Sequence, residues 1–241
     1  MAQGFEPAPE RAEKRYASRV PKLPSVQGDG RRQARVRLVQ DLEHYEQVML
    51  RAVTEARVSV WIATANVKDI HLEAPIGTRA RARGEYLSIT EQLSELVRRN
   101  VEVRILHGAL PSRPFRESLA KSKDLNAPRF EMRHCPRVHL KMIAVDGSYL
   151  YLGSANFTGA GLGAKGEGRR NFELGISTDD DVLLDVTQAR FERIWRGGEC
   201  GNCRLRSVCP APLDLLRPKK PQAPKPPPAR MKQQRAPRAP K

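Results

Sequence analysis

Residues 139–156 read HLKMIAVDGSYLYLGSAN. Two short apolar, β-favouring runs, MIAV (142–145) and YLYL (149–152), flank Asp146-Gly147, a dipeptide suited to a tight hairpin turn. His139 and Lys141 stand two apart ahead of the first run, so in extended chain they face the same side. Gly153-Ser154-Ala155-Asn156 closes the second run, and a backbone loop there brings Ser154 and Asn156 back toward the histidine. An imidazole, an ammonium, a hydroxyl and an amide then surround one small volume. Such a set suits a phosphoryl centre: the imidazole attacks phosphorus, and the ammonium and amide donate to the non-bridging oxygens. A buried hairpin with a satisfied histidine and a snorkelling lysine is the plainer alternative, and it gives the spacing no reason.

Working outward, Arg35 to Val39 reads as a short strand, and Asp41 as the N-cap of an amphipathic helix through Ala56. Residues 57–67, containing VSVWIATANV, form a near-continuous apolar strand of the kind buried on both faces. Lys68 to Leu87 reads as a loop carrying Arg79, Arg81 and Arg83. Ser88-Ile89-Thr90-Glu91 is a capping box opening a helix to Arg99. A strand at 101–106, a short helix within 111–123 and a strand at 130–134 lead into the hairpin. Beyond it come a Gly-rich loop ending in Arg169 and Arg170, a strand at 171–176, and a helix from Asp179–Asp181 to a Gly197-Gly198 stop. Strands alternating with helices predict an α/β sandwich with a mixed central sheet flanked by helices. The expected organisation is a disordered basic arm (1–35), one α/β domain (36–198), a Cys-rich segment (199–216) and a disordered Pro/Lys/Arg-rich tail (217–241).

The pattern H-x-K-x4-D-x6-G-S-x-N, carried by His139, Lys141, Asp146, Gly153, Ser154 and Asn156, resembles the HKD motif of the phospholipase D superfamily and departs from it at none of the six positions. The resemblance implies a phospholipase D-like sandwich and a phosphodiesterase with a phosphohistidine on His139. It also implies chemistry that needs no metal, with Asp146 and Gly153 as structural members of the motif. Asn171-Phe172-Glu173 is similar to the Asn-x-Glu strand of that superfamily, which implies that Glu173 hydrogen-bonds and orients His139. Active sites of this kind pair two motifs, whereas this chain holds one. The implied enzyme is therefore a homodimer with His139 of both chains in one cleft.

The four cysteines form a second constellation. Cys200-x2-Cys203-x5-Cys209 has ligand-like spacing, and three thiolates cannot pair off as disulfides. Cys135 is the candidate fourth ligand, with His134 beside it as a competitor. One distant Cys followed by C-x2-C-x5-C-P resembles the iron–sulfur clasp of RecB-like exonucleases, in ligand spacing alone. A structural [4Fe-4S] cluster and a structural zinc both fit the spacing.

The net charge of +16 is unevenly spread. Residues 1–35 hold eight Lys/Arg against four Asp/Glu, and residues 217–241 nine against none, which leaves only +3 for residues 36–216. The basic arms suit salt-dependent attraction to nucleic acid or to an anionic membrane surface. Arg79, Arg81, Arg83, Arg169 and Arg170 are the candidate phosphate contacts nearer the domain. No apolar run reaches transmembrane length. Glu6, Glu10 and Glu13 argue against a transit peptide, so a cytoplasmic protein is expected. Together these features predict an endonuclease acting on DNA or RNA. A phospholipase D or phosphatidyltransferase acting on lipid headgroups, and a nucleic-acid-binding module of a larger machine, are the alternatives.

Overall fold

The computed structural model describes residues 33–73 and 79–215. The basic arm up to residue 32 and the tail expected at 217–241 lie outside the described residues.

The described residues hold nine strands: β1 (Arg37–Gln40), β2 (Ser59–Thr64), β3 (His71–Glu73), β4 (Tyr86–Ser88), β5 (Glu102–His107), β6 (Phe130–His134), β7 (Met142–Val145), β8 (Tyr149–Gly153) and β9 (Leu174–Thr178). Seven of them form one mixed sheet in the order β1-β9-β8-β7-β2-β5-β6. β2, β5 and β6 run parallel to one another, and the remaining pairs are antiparallel. The helices are α1 (His44–Val53), the single-turn α2 (Arg79–Ala82), α3 (Ile89–Arg98), α4 (Arg113–Lys121) and α5 (Asp181–Trp195).

Period-two alternation along the central strands divides the core into two layers. Val60 and Ile62 of β2, Val103 and Ile105 of β5, and Ile143 and Val145 of β7 face one side. There they pack against α1, α3 and Phe115 of α4. Ala63, Leu106, Met142, Ala144 and Leu150 face the other side, where Leu184, Phe191, Ile194 and Trp195 of α5 cover them. Strands buried on both faces read as unbroken apolar runs, which is why VSVWIAT shows no polar alternation. On the α5 side, Trp61, Phe191 and Trp195 stack, and the Arg104 and Arg133 guanidiniums lie over their rings. This is the mixed α/β sandwich expected.

Local signals set most boundaries. The Ser88–Glu91 capping box is formed in both directions. Asp180 caps α5 by accepting from the Leu183 N–H, and Gly197 ends that helix region at φ 75°. Asp146 (φ 53°) and Gly147 (φ 64°) both take left-handed conformations in the β7–β8 turn, as a primed turn requires.

Two expectations need correction. Asp41 is not a helix N-cap: it sits at φ 42° and is drawn onto Glu173, so the helix begins at His44. That helix is wound wide, with the Thr54 N–H reaching the Met49 carbonyl five residues back. The stretch 68–87 is not a plain loop, because β3 and β4 pair within it and Arg79 and Arg81 belong to the α2 turn.

Candidate active site

The motif gathers where β2 ends, β7 begins and β8 ends, because β2 and β7 run antiparallel and β7 and β8 are joined by the tight turn. His139 and Lys141 lie in the extended segment just ahead of β7, and the Gly153 N–H donates to the Lys141 carbonyl at 3.1 Å. The ladder thus continues one residue beyond the strand and locks Lys141 beside the GSxN loop. The Lys141 Nζ lies 3.0 Å from Nδ1 and 3.2 Å from Nε2 of His139, and it also donates to the His139 carbonyl at 3.0 Å. The imidazole is exposed, and among the described residues its polar contacts are with Lys141. Burial holds the Lys141 ammonium below the ordinary lysine range, and the Glu173 charge works against that.

Ser154 and Glu173 meet across β8 and β9. The register that opposes Gly153 to Gly175 sets Ser154 against the start of β9. The Ser154 hydroxyl donates to Glu173 Oε2 and accepts from the Leu174 N–H at 3.1 Å. The other carboxylate oxygen, Oε1, accepts from Asn171 Nδ2 at 3.0 Å. Glu173 was expected on His139. The structure places it on Ser154 and Asn171 instead, because both its oxygens are taken by groups the strand register brings closer.

Asn156 is oriented from β2. Its Oδ1 accepts from the Asn66 N–H at 3.2 Å and lies 3.4 Å from Thr64 Oγ1. Thr64 also accepts from the Phe157 N–H at 3.0 Å. A backbone N–H can only donate, so the oxygen of Asn156 must face it and the amide NH2 faces away. Among the described residues that NH2 has no partner. Asp146 accepts from the N–H groups of Arg57, Val58 and Ser59 at 2.7–2.9 Å, pinning the start of β2 to the hairpin turn.

Beneath this layer lies Tyr151, fully buried, its phenol pushed above the ordinary tyrosine range by burial. A Cβ at Gly153 would stand 2.7 Å from Tyr151 Cζ and 2.8 Å from Gly175 Cα. The motif glycine is therefore required by packing. His44 meets the Tyr151 ring edge-on at 5.3 Å, and its Nδ1 donates to the Asp41 carbonyl at 3.1 Å.

Sequence reasoning missed Asp41, Thr64 and Asn66. Asp41 Oδ1 accepts from the Glu173 N–H at 3.0 Å, and the Asp41 N–H donates to the Glu173 carbonyl at 3.2 Å. The one visible signal was that Thr64 and Asn66 are polar at the end of a strand otherwise apolar.

The basic candidates divide. Arg169 is exposed and Arg170 half-buried, both directly before Asn171, and neither guanidinium has an ion-pair partner among the described residues. Arg83 pairs with Glu85 at 2.8 Å. Arg79 is exposed, and the Arg81 side chain lies outside the described residues.

Cys135, Cys200, Cys203 and Cys209 line one small cavity on the α5 side of the sheet, and all four are free thiols. Burial pushes the Cys135 thiol up, and the other three cysteines add to that. The Leu205 N–H, aided by Arg137, draws Cys203 down. His134, the alternative ligand, commits Nε2 to the Gly108 carbonyl at 3.0 Å.

A seven-stranded mixed sheet with helices on both faces and an HKD set at its rim defines the phospholipase D-like class of α/β phosphodiesterase folds. The chain belongs to that superfamily: the family model described as cardiolipin synthase, PLD-like domain, matches residues 49–195. No curated protein matches the sequence. Among solved structures, the chain is similar to Nuc of Salmonella typhimurium, a phospholipase D family member, at 20% identity over 68% of this chain and 95% of that one, with a TM-score of 0.47. NucT from Helicobacter pylori matches at 16% identity over 67% and 95% of the two chains, with a TM-score of 0.43. Phosphatidylserine synthase from Haemophilus influenzae matches at 16% identity over 66% and 37%, with a TM-score of 0.44. No helix among the described residues is long and apolar enough to cross a membrane.

Proposed function

We propose that this phosphodiesterase is a nuclease that cleaves DNA or RNA without a metal at the reacting centre, as a homodimer sharing one cleft. What carries the chemistry is the exposed His139–Lys141 pair beside an Asn156 amide whose NH2 is held outward. In the proposed reaction a ring nitrogen of His139 attacks phosphorus and the bond to the leaving oxygen breaks. His139 of a second copy gives that oxygen its proton and then takes one from water. The water oxygen bonds to phosphorus, the N–P bond breaks, and a phosphate monoester leaves. Lys141 and the Asn156 NH2 donate to the non-bridging oxygens as charge builds. Glu173 acts through Ser154, fixing its hydroxyl, and its charge favours the protonated form of Lys141.

Nucleic acid is favoured by Arg169 and Arg170, a few residues ahead of Glu173, and by the basic arms, which together attract a polyanion. A second copy is favoured by the apolar surface next to the site: Phe172 is 98% exposed, Leu174 55% and Leu38 49%. The same surface, together with the family's description as cardiolipin synthase, supports lipid-headgroup transfer as the second reading.

One assay series separates them. The full chain and His139→Ala are incubated in EDTA with single- and double-stranded DNA, RNA, and phosphatidylcholine vesicles. Nucleic-acid cleavage that His139→Ala abolishes is the expected result. Headgroup release alone establishes the lipid reading, and no turnover of any substrate points to a nucleic-acid-binding module.

A further inference from the structure

The family match ends at Trp195, and the segment that follows α5 lies outside it. Residues 199–215 form only two short 3-10 turns and bury little beyond Leu213. Leu205 and Val208 are exposed. Such a segment has no core of its own to hold it in one place. Yet its turns are closely ordered. The Cys203 N–H donates to the Cys200 carbonyl at 3.1 Å, the Arg206 N–H to Cys203 at 3.0 Å, and the Cys209 N–H to Arg206 at 3.3 Å. Three successive turns thereby bring Cys200, Cys203 and Cys209 to one side. The fourth wall comes from Cys135, whose N–H donates to the His107 carbonyl at 2.9 Å at the end of the β5–β6 pair.

We propose that Cys135, Cys200, Cys203 and Cys209 bind one zinc ion that fastens the C-terminal segment to the chain entering the active site. These are all the cysteines the chain has, drawn from two distant segments, and none is used in a disulfide. Four thiolates are a complete ligand set for a closed structural zinc site.

The cavity they line has a free volume of about 20 Å³, room for roughly one water-sized sphere. A single ion at about 2.3 Å from each sulfur suits a site of that size. Among the described residues no three such side chains already surround a common point, so binding turns the thiolates inward about χ1. Charge agrees. A zinc tetrathiolate carries −2, and Arg137 and Arg206 line the same cavity.

The site has a mechanical consequence. The Cys135 carbonyl accepts from the Val138 N–H at 2.9 Å, immediately before His139. Fixing Cys135 fixes the turn that delivers the imidazole.

The full chain, purified under reducing conditions without chelator from cells grown with both zinc and iron, is assayed for metal and for titratable thiols. About one zinc per chain is expected, with the thiols protected until a mercurial releases it. Cobalt(II) added to metal-free protein should give the intense visible bands of a tetrahedral thiolate site. Cys203→Ser and Cys209→Ser should lose those bands while keeping the far-UV dichroism of the sheet. Four freely titrating thiols with no metal, or a brown protein containing iron and sulfide, overturns the proposal. The cobalt spectrum of the unmutated chain decides the matter even if the variants do not fold.

Discussion

Ser154 and Glu173 are joined by a hydrogen bond in which the hydroxyl donates to the carboxylate, and the Leu174 N–H donates to the same hydroxyl oxygen from the next residue along. The serine is therefore fixed both as donor and as acceptor. A carboxylate that also supports the nearby lysine ammonium serves two members of the motif at once.

Replacing Glu173 with Gln should lower kcat by about 10- to 100-fold and change KM less, since the carboxylate acts on groups already in place. The sign of its pH effect is fixed. Burial already depresses Lys141, and loss of the Glu173 charge depresses it further. The alkaline limb of the kcat/KM profile should move to lower pH. An unmoved limb would remove Lys141–Glu173 coupling from the mechanism.

Asp146 holds three backbone N–H groups of the β2 entry and occupies a left-handed position. Asp146→Ala should cost about 3 kcal/mol, from lost charge-assisted bonds and from backbone strain. Asp146→Asn keeps one acceptor oxygen and tolerates the turn, so it should cost clearly less. Urea denaturation of the two variants tests the order, and equal losses would count against it.

Gly153→Ala places a methyl group against the Tyr151 ring and the Gly175 backbone. A loss of roughly 1–3 kcal/mol is expected from overpacking. In a Tyr151→Leu background the same substitution should cost less, because part of the obstruction is gone. A double-mutant cycle with zero coupling would show that Tyr151 is not what excludes the methyl.

Phe172→Asp should leave the fold intact, since the ring is 98% exposed, while weakening self-association by roughly 30-fold, about 2 kcal/mol. Activity should fall with dilution more steeply than in the unmutated chain. Sedimentation showing an unchanged dimer would place the interface elsewhere.

Burial holds His44 and His107 below the ordinary histidine value of 6.5. The unfolded chain therefore binds protons first on acidification. Stability from these two groups is complete above pH 6.5 and falls as pH drops from there toward their depressed folded values. Unfolding free energies measured between pH 8 and 5 should show this decline, and His44→Gln should make it shallower.

The hairpin at the centre of the chain was legible because its rules are local. Asp146-Gly147 asks for two left-handed residues, alternation is counted over four, and the Ser88–Glu91 box spans a single turn. The motif and its six offsets were likewise a property of one short stretch, and the mixed α/β class followed from the succession of apolar periods.

Partners across strands were not legible. The family resemblance implies Glu173 as the orienter of His139, but the Gly153–Gly175 register puts it on Ser154, and a one-residue slip would have put it on the opposite face. Asp41 looks like a helix cap until β1 lies beside β9, where it becomes the clamp on the Glu173 backbone. Thr64 and Asn66 matter only because β2 ends beside the GSxN loop. Nearest-neighbour chemistry is written into the chain itself. Which strands adjoin, and in what register, is decided by how the two apolar layers close, and only the closed sheet assigns each side chain its partner.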